Sequence, residues 1–167
     1  ICLNASCVWS QNVAPSLMAT GDQSYCPGTQ INITTSFNII DPDDTQIDAF
    51  FVQISTGYTF GKDVLLLTGS HPNIITSWDA VQGKLSIGGL GGLPIDYVDL
   101  IAAVNDIVFE GDVDTEPGEK LFSFTIGSAN YLPSTGHYYE YIPAIGITWT
   151  NARAAADART FFGLKGY

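Results

Sequence analysis

In the stretch Gln46-Ile47-Asp48-Ala49-Phe50-Phe51-Val52-Gln53-Ile54-Ser55, the residues Phe50, Val52 and Ile54 alternate with Phe51, Gln53 and Ser55. A strand sends successive side chains to opposite faces, so this period of two turns one apolar row inward. Similar short segments recur on either side, at residues 31–37, 64–68, 74–78, 84–87, 107–110 and 121–126. In the last of them Phe122, Phe124 and Ile126 share one face and Leu121, Ser123 and Thr125 the other. Between the segments lie Asp41-Pro42-Asp43-Asp44, Ser55-Thr56-Gly57, Gly61-Lys62-Asp63, Ser70-His71-Pro72-Asn73, Gln82-Gly83 and Glu116-Pro117-Gly118. Each contains residues that preset or tolerate turn dihedrals. Strands punctuated in this way predict a mainly β chain built as a β-sandwich of about seven strands. One stretch departs from the pattern: Tyr97, Leu100, Ile101 and Val104 fall at i, i+3, i+4 and i+7, which predicts a short crossing helix over residues 95–105.

The chain has 167 residues, with 17 acidic side chains against 6 basic ones and a formal net charge of −11. Only 14% of residues are charged and 46% are hydrophobic, which argues for a packed core and against disorder. The acidic excess repels phosphate backbones, so nucleic acid is not an expected partner. The charge is concentrated in residues 1–130, where fifteen acids face only Lys62, Lys84 and Lys120. Residues 131–167 are nearly neutral, with Glu140 and Asp157 against Arg153, Arg159 and Lys165. The change near residue 130 marks a boundary between two kinds of segment.

Residues 1–10, Ile-Cys-Leu-Asn-Ala-Ser-Cys-Val-Trp-Ser, carry no charge and precede a polar stretch ending in Pro15. They read as the remnant of a signal peptide, with residues 11–29 as a lead-in, and imply an exported, cell-surface or secreted protein. An ordinary first strand is the competing reading. Loss of Cys2 and Cys7 with the signal leaves Cys26, in Tyr25-Cys26-Pro27-Gly28, as a small buried hydrophobe or half of a disulfide. No run of 18 apolar residues exists, so no membrane span is expected. The abrupt stop at Gly163-Leu164-Lys165-Gly166-Tyr167 suggests truncation at this end as well.

Three further stretches carry a resemblance: Phe37 through Thr45 with its Asp-Pro-Asp-Asp turn, Ile54-Ser55-Thr56-Gly57-Tyr58 followed by Gly61-Lys62-Asp63-Val64-Leu65, and Trp78 through Ile87. In this order they resemble the cadherin-like repeats of large bacterial surface proteins, over residues 30–128. The resemblance implies an immunoglobulin-type sandwich that spaces or presents other modules, in some cases with calcium at domain junctions. Asp41, Asp43, Asp44 and Asp63 are then the calcium candidates. Three carboxylates within four residues repel one another unless they are solvated or bridged by a cation, and a solvated Asp-Pro turn capped by its own side chains is the alternative. A second acidic group, Glu110, Asp112, Asp114, Glu116 and Glu119, does not fit an EF-hand, because Gly118 stands at the seventh place of the frame and Ser123 where a Glu is needed. It reads as an exposed acidic loop.

After a linker at 129–135 the style changes. The aromatic stretch His137-Tyr138-Tyr139-Glu140-Tyr141-Ile142 precedes Gly146-Ile147-Thr148-Trp149, and Thr148 or Thr150 can cap a helix running from Asn151 to Phe162, stopped by Gly163. With its Trp149-Thr150-Asn151-Ala152 helix start, the segment 136–167 resembles the opening of a C-type lectin-like domain, an incomplete α+β unit of one strand and one helix. The tandem resembles the N-terminal part of surface or gliding-associated proteins of Bacteroidota. Strand and helix spacing place Tyr138, Tyr139, Tyr141 and Trp149 in core or half-buried positions.

Catalytic signals are nearly absent. His71 and His137 have no motif-spaced nucleophile or carboxylate, and the glycine-rich Gly88-Gly89-Leu90-Gly91-Gly92-Leu93-Pro94 lacks the Lys-Ser/Thr of a phosphate loop, so it reads as a flexible connection. The expectation is a non-catalytic part of an exported multidomain surface protein, presenting a lectin-like domain for adhesion to a glycan or protein ligand. An accessory region of an exported hydrolase and a purely structural spacer are the alternatives.

Overall fold

The computed structural model describes residues 15–114, 118–127, 130–132, 135, 137–139, 142, 144–161 and 164–166. The proposed signal remnant with Cys2 and Cys7, the Glu116-Pro117 corner, Tyr141 and the helix stop at Gly163 lie outside the described residues. The chain is mainly β, in keeping with a β-sandwich.

Strands β1 (Ser16–Thr20), β2 (Gln30–Asn32), β3 (Ser36–Ile40), β4 (Gln46–Ile47) and β5 (Ala49–Thr56) are followed by β6 (Asp63–Leu67), β7 (Ile74–Asp79) and β8 (Lys84–Gly89). Then come a 3-10 turn at Leu90–Gly92, β9 (Ile95–Asp96), α1 (Tyr97–Asn105), β10 (Ile107–Gly111) and β11 (Leu121–Ile126). One antiparallel sheet has the order β11-β5-β8-β7 and a second the order β2-β10-β6; β1 pairs with β3, and β4 with β9. The alternation in β5 does what its pattern predicts: Phe50, Val52 and Ile54 are buried. With Leu85 and Ile87 of β8 they meet Leu65 of β6, Ile107 and Phe109 of β10, and Leu100, Ala103 and Val104 of α1 in one cluster. Phe37, Phe50 and Phe124 pack ring against ring, with centroids 5.4 to 6.4 Å apart.

Three expectations are corrected. Residues 31–37 are not one strand: β2 joins the three-stranded sheet, while β3 pairs with β1. The break at Ile33-Thr34-Thr35 lets the chain leave one pairing for the other: the Ile33 amide still donates to the Ile107 carbonyl and the Thr35 amide to the Thr20 carbonyl, and Asn105, the last residue of α1, serves Phe37 just beyond. Its Oδ1 accepts from the Phe37 amide at 2.8 Å, its Nδ2 donates to the Ile101 carbonyl at 2.9 Å, and its own carbonyl accepts from Asn32 Nδ2 at 2.7 Å. The lead-in is not separate either, since Ser16 to Thr20 pair with Ile40 to Ser36. The stretch Gly88 to Pro94 is not an open loop at its start: Gly88 and Gly89 complete β8, and a Cβ at Gly89 would stand 2.0 Å from the Leu93 carbonyl oxygen.

Downstream, β12 (Asn130–Leu132) and β13 (His137–Tyr139) form an antiparallel hairpin. Helix α2 (Trp149–Asp157) follows, and then the short pair β14 (Thr160–Phe161) and β15 (Leu164–Lys165). Thr148 caps α2, its Oγ1 accepting from the Asn151 amide at 3.3 Å. Trp149 is 74% exposed and so is not the core or half-buried residue that its spacing predicts, and Tyr139, 46% exposed, is not a core residue. The physical reason is that α2 buries none of its residues within the described part of the chain.

Replacing Asn105 with Ala takes the Oδ1 acceptor from the Phe37 amide, while the Asn105 backbone carbonyl still accepts from Asn32. Asn105→Ala is expected to lower unfolding free energy by about 2 kcal/mol in urea titrations, with an unchanged slope.

Candidate functional site

At the end of β3 the chain turns through Asp41-Pro42-Asp43-Asp44. Asp41 organises the turn: its Oδ1 accepts the amides of Asp43 at 3.2 Å and Asp44 at 3.1 Å. Its Oδ2 accepts the Tyr97 hydroxyl at 2.7 Å. Tyr97 is the first residue of α1, so the helix start is fastened to the turn, and the Tyr97 amide donates to the Thr45 carbonyl at 2.9 Å. One residue away, Gln46 Nε2 donates to Asp96 Oδ1 at 2.7 Å.

Electrostatically the turn is a concentrated negative patch. Ligand oxygens of Asp41, Asp43 and Asp44 all lie within 4.8 Å of one another. Partial burial pushes the Asp41 carboxyl up, but the Tyr97 hydroxyl and the amides of Asp43 and Asp44 outweigh it and hold the carboxyl below its usual value. Tyr97 moves the other way, raised by burial, by its bond to Asp41 and by the surrounding carboxylates. Beside the turn is an open groove of about 610 Å³, bordered by Asp41, Asp44, Asp96, Asp99, Tyr97 and Val98.

Asp63, the fourth calcium candidate, is not part of this group. It opens β6, is buried, and its Oδ2 meets Lys120 Nζ at 2.6 Å and the Thr59 amide at 2.7 Å. Asp63 and the turn aspartates therefore cannot be taken as one ligand set. In the second acidic group, the described residues form an ordinary turn: Asp112 Oδ1 accepts the Asp114 amide at 3.1 Å and Lys62 Nζ donates to the Asp114 carbonyl at 2.9 Å.

Sequence reasoning missed the partners. Lys120 lies 57 residues from Asp63, and Tyr97 lies 56 from Asp41. His71 also has a carboxylate, Asp106 at 3.0 Å, 35 residues on. The one available signal was a lone Lys beside a strand of apolar character, next to an acidic loop. Cys26 is an exposed thiol rather than a buried one.

The class defined by these features is a mainly β chain, in keeping with a β-sandwich, that carries an acidic turn after β3. The chain is similar to halomucin, a large surface protein of the archaeon Haloquadratum walsbyi, with 28% identity over 142 residues. That alignment covers 81% of this chain and 2% of halomucin, so the chain spans only a small fraction of its relative. No protein-family model matches the chain. No solved structure matches it either. Among the described residues no helix is long and apolar enough to cross a membrane.

Tyr97→Phe tests the clasp between turn and helix. Asp41 has a folded value below its ordinary 3.8, so its contribution to stability is complete above that value and is lost as pH falls through the lower folded one. The variant is expected to be less stable by about 1 kcal/mol near neutral pH, and the gap should close as acid protonates Asp41. Urea midpoints measured across acidic and neutral pH check both the size and the direction.

Proposed function

We propose that the chain is a non-catalytic segment of a large exported surface protein, in which the sandwich spaces and presents the segment that follows it. The observation that carries this reading is the similarity to halomucin, which runs through most of this chain and occupies a sliver of that surface protein. A sandwich with strong internal pairing and an acidic exterior suits such a role, because net charge keeps an exposed module soluble and apart from its neighbours. The resemblance of residues 136–167 to the start of a C-type lectin-like domain supports adhesion to a glycan or a protein as the purpose of the presentation.

Calcium belongs to the same proposal, at Asp41, Asp43 and Asp44. Their oxygens are hard donors, and their spacing matches ligands that share one ion at about 2.3–2.6 Å. Asp41 keeps lone pairs beyond those used by the two amides and Tyr97, and backbone carbonyls and water complete the usual six to eight ligands. A cation there removes the repulsion among three carboxylates and stiffens the turn next to the start of α1.

Two measurements test the proposal. Antibodies raised against the sandwich should label intact cells of the source organism; labelling only after permeabilisation would overturn the surface assignment. Melting of the 167-residue chain in calcium and in chelator tests the ion. Calcium at about ten times a millimolar dissociation constant adds about 1.4 kcal/mol, a rise of roughly 4 °C in melting temperature. Equal melting temperatures would remove calcium from the proposal.

A further inference from the structure

Asp63 and Lys120 form the most deeply buried ion pair among the described residues, with side chains 0% and 5% exposed and Oδ2 to Nζ at 2.6 Å. The two oxygens of Asp63 are treated unequally. Oδ2 accepts from Lys120 Nζ and from the Thr59 amide at 2.7 Å, while Oδ1 is buried without a hydrogen-bond partner. Oδ1 rests against Gly111, where an added Cβ would stand 3.5 Å from it. Nζ also donates to the Gly57 carbonyl at 2.5 Å and lies 5.7 Å from the centre of the Phe109 ring. Two full charges and an orphan oxygen in a dry, partly aromatic site are a costly arrangement.

We infer that this pair is a modification site, at which Lys120 Nζ condenses with the side-chain carboxyl of Asp63 to form an intramolecular amide. The Nζ–Cγ bond forms and the Cγ–Oδ1 bond breaks. Two of the three ammonium hydrogens leave with Oδ1 as water and the third stays on nitrogen, so atoms and charge balance without an oxidant, a reductant or an outside proton donor. The Thr59 amide points at Oδ2, where negative charge builds during the attack. The product satisfies the site better than the ions do. The amide carbonyl keeps the Thr59 N–H, the amide N–H keeps the Gly57 carbonyl, the orphan oxygen is gone and no charge remains buried. Exclusion of bulk water disfavours the reverse reaction. Because Asp63 opens β6 and Lys120 directly precedes β11, the bond joins the two sheets of the sandwich.

The test is the intact mass of the folded 167-residue chain, with Lys120→Arg as the variant that keeps a cation but not the amine. The wild-type chain is expected to be lighter than its sequence by one water, and digestion should release a branched peptide joining the segments that carry Lys120 and Asp63. The variant should have the full mass of its sequence. A folded wild-type chain that keeps its full mass after prolonged incubation, as a simple ion pair requires, would overturn the inference. So would a water loss mapped to any other residue. The wild-type measurement decides the matter alone if the variant does not fold.

Discussion

The sandwich depends on the hydrogen bonds of Asn105. The chain must leave the three-stranded sheet after β2 and re-enter as β3 beside β1, and any such switch strands backbone donors and acceptors in a part of the molecule that water reaches poorly. Asn105 stands at the end of α1 and serves both sides of the switch, through Asn32 on one and Phe37 on the other. The bond to Asn32 is made by the backbone carbonyl, and the amide side chain suits the Phe37 side because Oδ1 can accept from that amide while Nδ2 donates to the Ile101 carbonyl. With Phe37 held, its ring seals the cluster around Phe50 and Phe124. The helix is thus a fastening as well as a crossover, tied at its last residue to the strand switch and at its first residue to the acidic turn.

The two polar sites solve opposite problems with the same residue type. Asp41 sits where solvent still reaches, and three neutral donors shape a turn around it. Asp63 is sealed from solvent and meets a cation at close range, which leaves one of its oxygens without a donor. Tyr58 lies close to the second site, its hydroxyl donating to the Ala80 carbonyl at 2.5 Å, and burial together with Asp63 and Asp79 raises its ionisation above the usual tyrosine value. The acidic composition is therefore mostly exposed charge, with a small number of carboxylates that set local geometry.

The period of two in β5 and β11, the helical spacing from Tyr97 to Val104 and the turn residues were legible in the sequence because each is a local signal. The split of residues 31–37 was not, since Ile31, Ile33 and Phe37 fit one strand by propensity and only the pairing with β10 and β1 divides them. The strand pairing of Ser16 to Thr20 was hidden for the same reason. At the candidate site, the grouping of Asp41, Asp43 and Asp44 was readable from adjacency. The separation of Asp63, and the identities of Tyr97 and Lys120 as partners, rest on contacts more than fifty residues apart that no spacing rule encodes. Trp149 shows the limit of helical patterning, for a stripe predicts which face seeks cover and says nothing of whether cover is there.

The pairing of β1 bears on how the sandwich responds to load. The chain enters at Ser16, opposite Ile40, and leaves at Gly127, whose amide bonds the Ala49 carbonyl; Ile40 and Ala49 flank the acidic turn. A pull between those two points reaches β1 from its Ser16 end. Its rungs to β3 then open one after another, as a zipper does, instead of resisting together in shear. The first strand would peel away at low force and lengthen the chain, while the sheets formed by β5, β8 and β10 stay closed behind it.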